Sequence, residues 1–293
     1  IGRNHSKLRW TYNGPDKLVS FYVKADMKKT YRDHHGIIKD FDNLQYNKST
    51  RETFIDLTNL RPYSNYTVHV GVVKTRSNGS PIEMFGTRIV FMTYTQPAPF
   101  LDPPTDLRSE GASTASLLMT TASEEYGMID HYWLVVYNQS DEKKPEDFSN
   151  EQLRQNSRIG ALPYVAMTIT RDEMIPKTQG GKIKFLLGND REAKGFRNHK
   201  LRKGTTYKAF FRAFVKNTDP AKPNDYLYSS SPFAQGIKVA SNERSVHNSN
   251  VWLIGPIIAI LIITIIIGML IIWWMRRNKK NNNLPMKQEE QQP

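Results

Sequence analysis

The sequence contains no cysteine. That absence excludes thiol nucleophiles, cysteine-held metals and disulfide staples anywhere in the chain. Secreted domains often rely on disulfides, but a β-sandwich with a full hydrophobic core holds without them. A glycine-rich phosphate loop, Gly-x-Ser-x-Gly and His-Glu-x-x-His are also missing. No nucleophile–base pair stands in their place. Asp33-His34-His35 offers three metal-ligand types in a row, yet three adjacent strand residues cannot all turn to one ion, and no distant partner is evident. No catalytic residue, cofactor or metal is therefore expected. Sustained 3.6-residue periodicity is lacking between residues 8 and 96, and charge is lacking altogether from Val251 to Met275.

That uncharged stretch is the strongest positive feature. It reads VWLIGPIIAILIITIIIGMLIIWWM. At about 1.5 Å per residue it exceeds the roughly 30 Å hydrocarbon core of a bilayer, where only a helix satisfies the backbone. Arg276-Arg277-Asn278-Lys279-Lys280 follows at once and marks a cytosolic end, while Trp252, Trp273 and Trp274 sit at headgroup depth. Pro256, one turn inside, is tolerated there. The expectation is a transmembrane helix over 251–275, a juxtamembrane stalk over 243–250 and a short basic cytoplasmic tail over 276–293. This is a single-pass type I plasma-membrane topology with the bilayer as one partner. The chain starts at Ile1 without an initiator Met or a signal peptide, which reads as a mature chain or a piece of a longer one. Formal net charge is +13, and the tail's five Lys/Arg against two Glu leave +10 to the rest. Outside a cell that charge suits an acidic glycan or an acidic protein face, not nucleic acid.

The outer part reads as two restarts of one β pattern. Over 1–96, Leu8-Arg9-Trp10, Leu18 to Val23, Thr53 to Leu57, Tyr66 to Val72 and Arg88 to Met92 are short strand-like runs between turn signals. In Leu60-x-Pro-x-x-x-Tyr66 a Leu stands six residues before a Tyr that opens a strand. This fits a tyrosine corner, with the ring inward and the hydroxyl bonded back to the upstream turn. With Trp10 on an early strand, the segment resembles a fibronectin type III domain whose first strand is missing. Residues 97–103 form a Pro-rich, semi-rigid linker. The pattern then restarts over 104–242 and repeats the Leu-to-Tyr spacing at Leu201 and Tyr207. The fold class is thus all-β, with tandem fibronectin type III-like sandwiches followed by a single transmembrane helix. The second sandwich departs twice. Its strand-B tryptophan position falls at Thr121, so Trp133 is expected to fill that core instead. It also carries an insertion over 138–163, with a short helix at Glu151 to Gln155.

Several segments together resemble the membrane-proximal ectodomain of receptor-type protein-tyrosine phosphatases, including the LAR-like group. They are Met128 to Val136, Phe185 to Asp190, Gly195-Phe196-Arg197-Asn198, Leu201 to Tyr207, and Trp252 to Pro256 opening the span. The resemblance implies a long type III-like domain with a helical insertion next to the membrane, and cytosolic phosphatase domains in the parent protein. Two departures stand out. Ala193-Lys194 replaces a frequent Tyr-Asn pair. Arg154-Gln155-Asn156-Ser157-Arg158 lacks the tight basic spacing that furin-like proteases read. The phosphatase signature requires a Cys five residues before an Arg, so this chain is not itself the catalyst. Either the parent continues into catalytic domains as an active phosphatase, or the product is a receptor-only form. A cytokine-receptor-like reading lacks its Cys pairs and its Trp-Ser-x-Trp-Ser motif.

Asn-x-Ser/Thr sequons occur at Asn4, Asn47, Asn65, Asn78 and Asn138, all before the apolar run. That one-sided distribution suits a glycosylated ectodomain. Arg191, Lys194, Arg197, Lys200, Arg202 and Lys203 crowd together and form a candidate glycosaminoglycan-binding cluster. Trp10, Leu60, Tyr66, Leu201 and Tyr207 are structural. The expected function is a cell-surface receptor or adhesion ectodomain that binds extracellular protein or glycosaminoglycan, and self-association is compatible with it.

Overall fold

The computed structural model describes residues 1–14, 20–75, 78–138, 143–175, 182–240 and 263–276. Two compact units emerge, Ile1–Asn242 and Glu243–Pro293. The described residues are mostly β-sheet with few helices, consistent with an all-β fibronectin-like fold.

The first six strands are β1 (Ser6–Arg9), β2 (Ser20–Arg32), β3 (Ile38–Thr50), β4 (Phe54–Leu57), β5 (Asn65–Thr75) and β6 (Pro81–Met92). β1 pairs with β4, and the facing sheet runs β3-β2-β5-β6. Alternation drives the packing. Val23, Ala25 and Met27 of β2 and Tyr66, Val68 and Val70 of β5 turn inward, against Leu8, Ile55 and Leu57 from the smaller sheet. Leu18 and Val19 lie outside the described residues. β3 was not expected as a strand. Its polar sequence carries no alternating apolar signal, and it is held by backbone pairing with β2 along its whole length.

The next body contains β7 (Thr105–Ser109), β8 (Ala115–Met119), β9 (Ile129–Asn138), α1 (Asn150–Ile159), β10 (Tyr164–Thr170), α2 (Arg171–Met174), β11 (Ile183–Leu187), β12 (Glu192–Ala193), β13 (Phe196–Arg197), β14 (Thr206–Lys216), β15 (Tyr226–Ser230) and β16 (Ile237–Lys238). One sheet runs β11-β8-β7; the other runs β10-β9-β14-β15, with β16 also on β14. β9 is buried on both faces. Tyr132, Leu134 and Val136 enter the core between the sheets. Trp133, Val135 and Tyr137 point the opposite way, to a cluster with Phe148, Leu153, Phe210 and Phe214. Trp133 therefore does not fill the sandwich core, contrary to the sequence expectation. Strand parity sends it to the outer face, and Tyr132 and Phe211 supply aromatic volume inside, with ring centroids 6.0 Å apart.

The insertion roofs that outer face. Ser149 caps α1 by accepting a bond from the Gln152 N–H at 3.1 Å, and Gly160 ends it in the left-handed region at φ 69°. Proper caps at both ends make the helix longer than the five residues expected. Leu153 and Phe148 are its buried anchors, at 0% and 1% exposure; each contributes roughly 1.5–3 kcal/mol by leaving water. Arg212 ties the roof down. Fully buried on β14, it donates from Nη2 to the carbonyls of Pro145 and Phe148, both at 2.9 Å, from Nη1 to Asn150 Oδ1, and from Nε to Ser230 Oγ. Burial lowers its pKa.

Polar contacts join the two sandwiches. Thr95 N donates to Thr218 Oγ1 at 3.0 Å, and Thr95 Oγ1 donates to the Lys216 carbonyl at 3.0 Å. Gln96 N reaches the Tyr126 carbonyl, and Glu124 N reaches that of Arg32, each at 2.8 Å. Thr121 Oγ1 donates to the His34 carbonyl, so the residue at the missing tryptophan position serves the joint. The Pro-rich segment packs rather than spans, with Ala98 and Leu101 in the second core.

In the other unit, residues 263–276 form a helix, α3, whose side chains are exposed apart from Gly268. Among the described residues no helix is long and apolar enough to cross a membrane. Residues 251–262, including Trp252 and Pro256, lie outside the described residues, as do 277–293.

Candidate functional site

The basic segment 191–203 sits on a stiff frame. β12 and β13 form a small hairpin whose tip, Lys194-Gly195, takes positive φ at both residues. Behind it, Asn198 is buried at 3% exposure. Its Oδ1 accepts from Gly188 N and its Nδ2 donates to the Leu186 carbonyl, both at 2.7 Å. Its backbone binds Asp190 and Arg191. One amide side chain thus staples the hairpin to the end of β11. In the sequence Asn198 closes the Gly195-Phe196-Arg197-Asn198 motif, and an amide placed just before a Leu-to-Tyr corner is the only local signal of this role. Gly188 is fixed by geometry too. At φ 79° a Cβ would lie 2.1 Å from the Ser113 carbonyl oxygen.

The frame divides the six cations. Arg197 Nε binds Asp190 Oδ1 at 2.9 Å, and Lys194 Nζ binds Glu173 Oε2 at 2.5 Å. These bonds hold the Asp190 and Glu173 carboxyls below their ordinary pKa. Lys200 approaches Asp190 only to 3.9 Å. Arg191, Arg202 and Lys203 are exposed and make no ion pair among the described residues. The charge left for an external anion therefore rests on Arg191, Lys200, Arg202 and Lys203, not on the hairpin. His199, Lys200 and Arg202 line a cavity of about 300 Å³ whose wall, among the described residues, holds no carboxylate.

The tyrosines stand at matching corners. Tyr66 OH accepts from Arg61 N at 2.8 Å, and Tyr207 OH accepts from Arg202 N at 2.9 Å. Leu60 and Leu201 are buried beside them, at 4% and 3% exposure. Trp10 is half-buried, edge-on to Phe21 at 5.4 Å. Of the sequon asparagines, Asn4, Asn47, Asn65 and Asn78 are exposed and Asn138 is half-buried. Asp33 works locally, accepting from the His35 and Ile37 N–H groups at 2.9 Å. Arg154 and Arg158 lie in α1, with the Arg154 guanidinium 5.1 Å over the Trp133 ring. A protease that reads an extended basic strand meets a capped helix there.

The two sandwiches carry a cationic rim, and the chain lacks the cysteine a tyrosine phosphatase requires. No family model matches the chain. It is similar to the Tyrosine-protein phosphatase Lar-like of Caenorhabditis elegans, 27% identical over 320 aligned positions that cover 89% of this chain and 14% of that protein. It is also similar to the Tyrosine-protein phosphatase Lar of Drosophila melanogaster, 29% identical over 239 positions that cover 77% and 11% respectively. The chain is thus homologous over most of its length to LAR-like receptor tyrosine phosphatases, and spans 14% and 11% of the length of these relatives.

Proposed function

We propose that this chain is the membrane-proximal extracellular part of a single-pass type I receptor, followed by its transmembrane helix and the start of a cytosolic tail. The domain limits are those read from the sequence: 1–96, a Pro-rich 97–103, 104–242, a stalk 243–250, the span 251–275 and the tail 276–293. The carrying observation is the uncharged run Val251–Met275 followed directly by Arg276-Arg277-Asn278-Lys279-Lys280, in a chain homologous to LAR-like phosphatases. α3 supports it. A helix apolar on all sides, with Ile265, Leu270 and Trp273 more than half exposed, calls for lipid as its solvent. The sandwiches then face the exoplasmic side, carry N-glycans and present binding surfaces to extracellular protein or glycosaminoglycan. The parent is a receptor-type tyrosine phosphatase whose catalytic domains lie beyond this chain.

The topology is tested by expressing the chain with a cytosolic tag. Alkaline carbonate should leave it in the membrane pellet, and N-glycosidase should increase its mobility. Release into the carbonate supernatant without a mobility change would overturn the reading. For the glycan ligand, Lys200→Ala/Arg202→Ala/Lys203→Ala should elute from heparin at clearly lower salt, while Lys194→Ala/Arg197→Ala, whose cations are already paired, should move it much less. Equal shifts would reduce the binding to bulk charge.

A further inference from the structure

The sequons differ in the direction they face. On β5, Tyr66 and Val68 point to the core, so Asn65 points to solvent. Asn47 is exposed on edge strand β3, and Asn78 lies in an exposed turn, where its Oδ1 accepts from Ser80. Asn138 has the opposite phase. It continues the inward row Tyr132, Leu134, Val136 by one more step and comes out at the open end of the second sandwich. There it lines the cavity of about 300 Å³ with Tyr164, His199, Lys200, Arg202 and Tyr207. The wall is rigid: Tyr164 OH donates to the His199 carbonyl at 3.0 Å, Tyr207 OH accepts from Arg202 N at 2.9 Å, and His199 Nε2 lies 3.1 Å from the Ser157 carbonyl. Among the described residues its charged groups are donors, Lys200 and Arg202, and none is a carboxylate. This volume is at the small end of ligand pockets.

We propose that Asn138 is N-glycosylated and that the first N-acetylglucosamine folds into this cavity, making the sugar a structural element between β9, the segment after α1 and the loop before β14. The inference rests on the extracellular placement proposed above. The bond forms during chain entry, before Asn138 becomes half-buried. Asn138 Nδ2 attacks the sugar C1 of a lipid-diphosphate oligosaccharide, the C1–oxygen bond to the diphosphate breaks, and the amide gives up one proton. The acetamido carbonyl and hydroxyls are then acceptors for Lys200 and Arg202, and the ring covers the Tyr164–His199 wall.

The test uses the full chain made in glycosylating cells. Peptide mass spectrometry reads occupancy at each sequon, and thermal unfolding is followed with intact glycans, after trimming to one sugar, and after complete release. Asn138 should be occupied. Trimming to one sugar should leave Tm unchanged, whereas removing the last sugar, or Asn138→Gln, should lower it by roughly 3 °C. Asn47→Gln should move Tm by less than about 1 °C. Arg202→Ala should lower Tm in the glycosylated protein and add nothing to Asn138→Gln. An empty Asn138 beside occupied sequons, or equal effects of Asn138→Gln and Asn47→Gln, would overturn this inference alone. Absence of glycan from all five would overturn it together with the topology.

Discussion

Lys29 illustrates what a single residue costs and why it is tolerated. It lies on β2, 5% exposed, with Nζ donating to the Pro62 carbonyl at 2.6 Å and facing the rings of Tyr31 and Tyr126 at 5.7 and 5.9 Å. Burial lowers its pKa from 10.5 to about 8; Glu125 opposes the shift and Arg61 adds to it. The folded state thus binds fewer protons than the unfolded chain between about pH 8 and 10.5. Stability contributed by this group rises with pH through that window, and below it the full desolvation cost remains. Lys29→Met keeps the volume and removes the charge, and the Pro62 carbonyl retains its bond from Ser64 Oγ. The variant should be about 1–3 kcal/mol more stable at pH 7, with the gain fading toward pH 10.5. Urea titrations at several pH values check this; a gain that does not vary with pH would mean that the ammonium is not the cause. None of this was legible in the sequence, where Lys29 occupies an inward position that only the β2 register reveals.

At the scale of elements, the legible ones carried a local signature. β5 alternates, the tyrosine corners repeat a spacing, and α1 has a Ser at one end and a Gly at the other, whereas of β2 only the start up to Val23 reads as a strand. β3 and β15 were missed, because an edge strand is held by a neighbour's backbone and needs no apolar period of its own. β10 was missed although Tyr164, Val165, Ala166 and Ile169 are buried, because a short apolar run without alternation does not announce a strand. The face of Trp133 was misjudged for a related reason. A strand buried on both sides shows a continuous apolar run, and such a run does not reveal which side holds the main core. The roof over that second face depends on Arg212, a buried cation bonded to neutral acceptors. Arg212→Met should strand the Pro145 and Phe148 carbonyls and cost about 3 kcal/mol, since each buried group left unpaired costs about 1–3 kcal/mol. Hydrogen exchange should locate the loss, with the α1 amides exchanging much faster and those of β8 nearly unchanged. Uniform acceleration across the sandwich would show that the roof and the core unfold together.

At the scale of the whole molecule, residues 1–242 cohere through a joint made mostly of backbone groups. Thr95 lies at its centre, donating to the Lys216 carbonyl and accepting from Thr218 N at 3.1 Å. Gly127 allows the close approach: a Cβ there would stand 2.3 Å from Val215 Cγ1 and 3.0 Å from Thr95 Cγ2. If the sandwiches open as one contact, Thr95→Val should speed exchange at Thr218, Gln96 and Glu124 together, by about 10-fold for a loss near 1.4 kcal/mol. Acceleration confined to Thr218 would mean that the contacts act separately. The candidate binding rim was legible as composition and not as chemistry. Six cations in thirteen positions are visible in the sequence, but which of them pair is set by the β12–β13 hairpin, which turns Arg197 back to Asp190, and by Glu173, which only the fold brings to Lys194.

The linear sequence by itself determined the properties that depend on near neighbours. These are an uncharged apolar run ended by a basic cluster, a chain without thiol chemistry, two restarts of a strand pattern, and corners whose tyrosines bond five residues back. Tertiary structure decided which face a doubly buried strand gives to which cluster, which cations are already neutralised, and which asparagine lines a cavity. The reason is the range of the forces. Periodicity, capping and turn geometry act within a few residues along the chain, whereas burial and charge pairing depend on distances that the sequence does not contain.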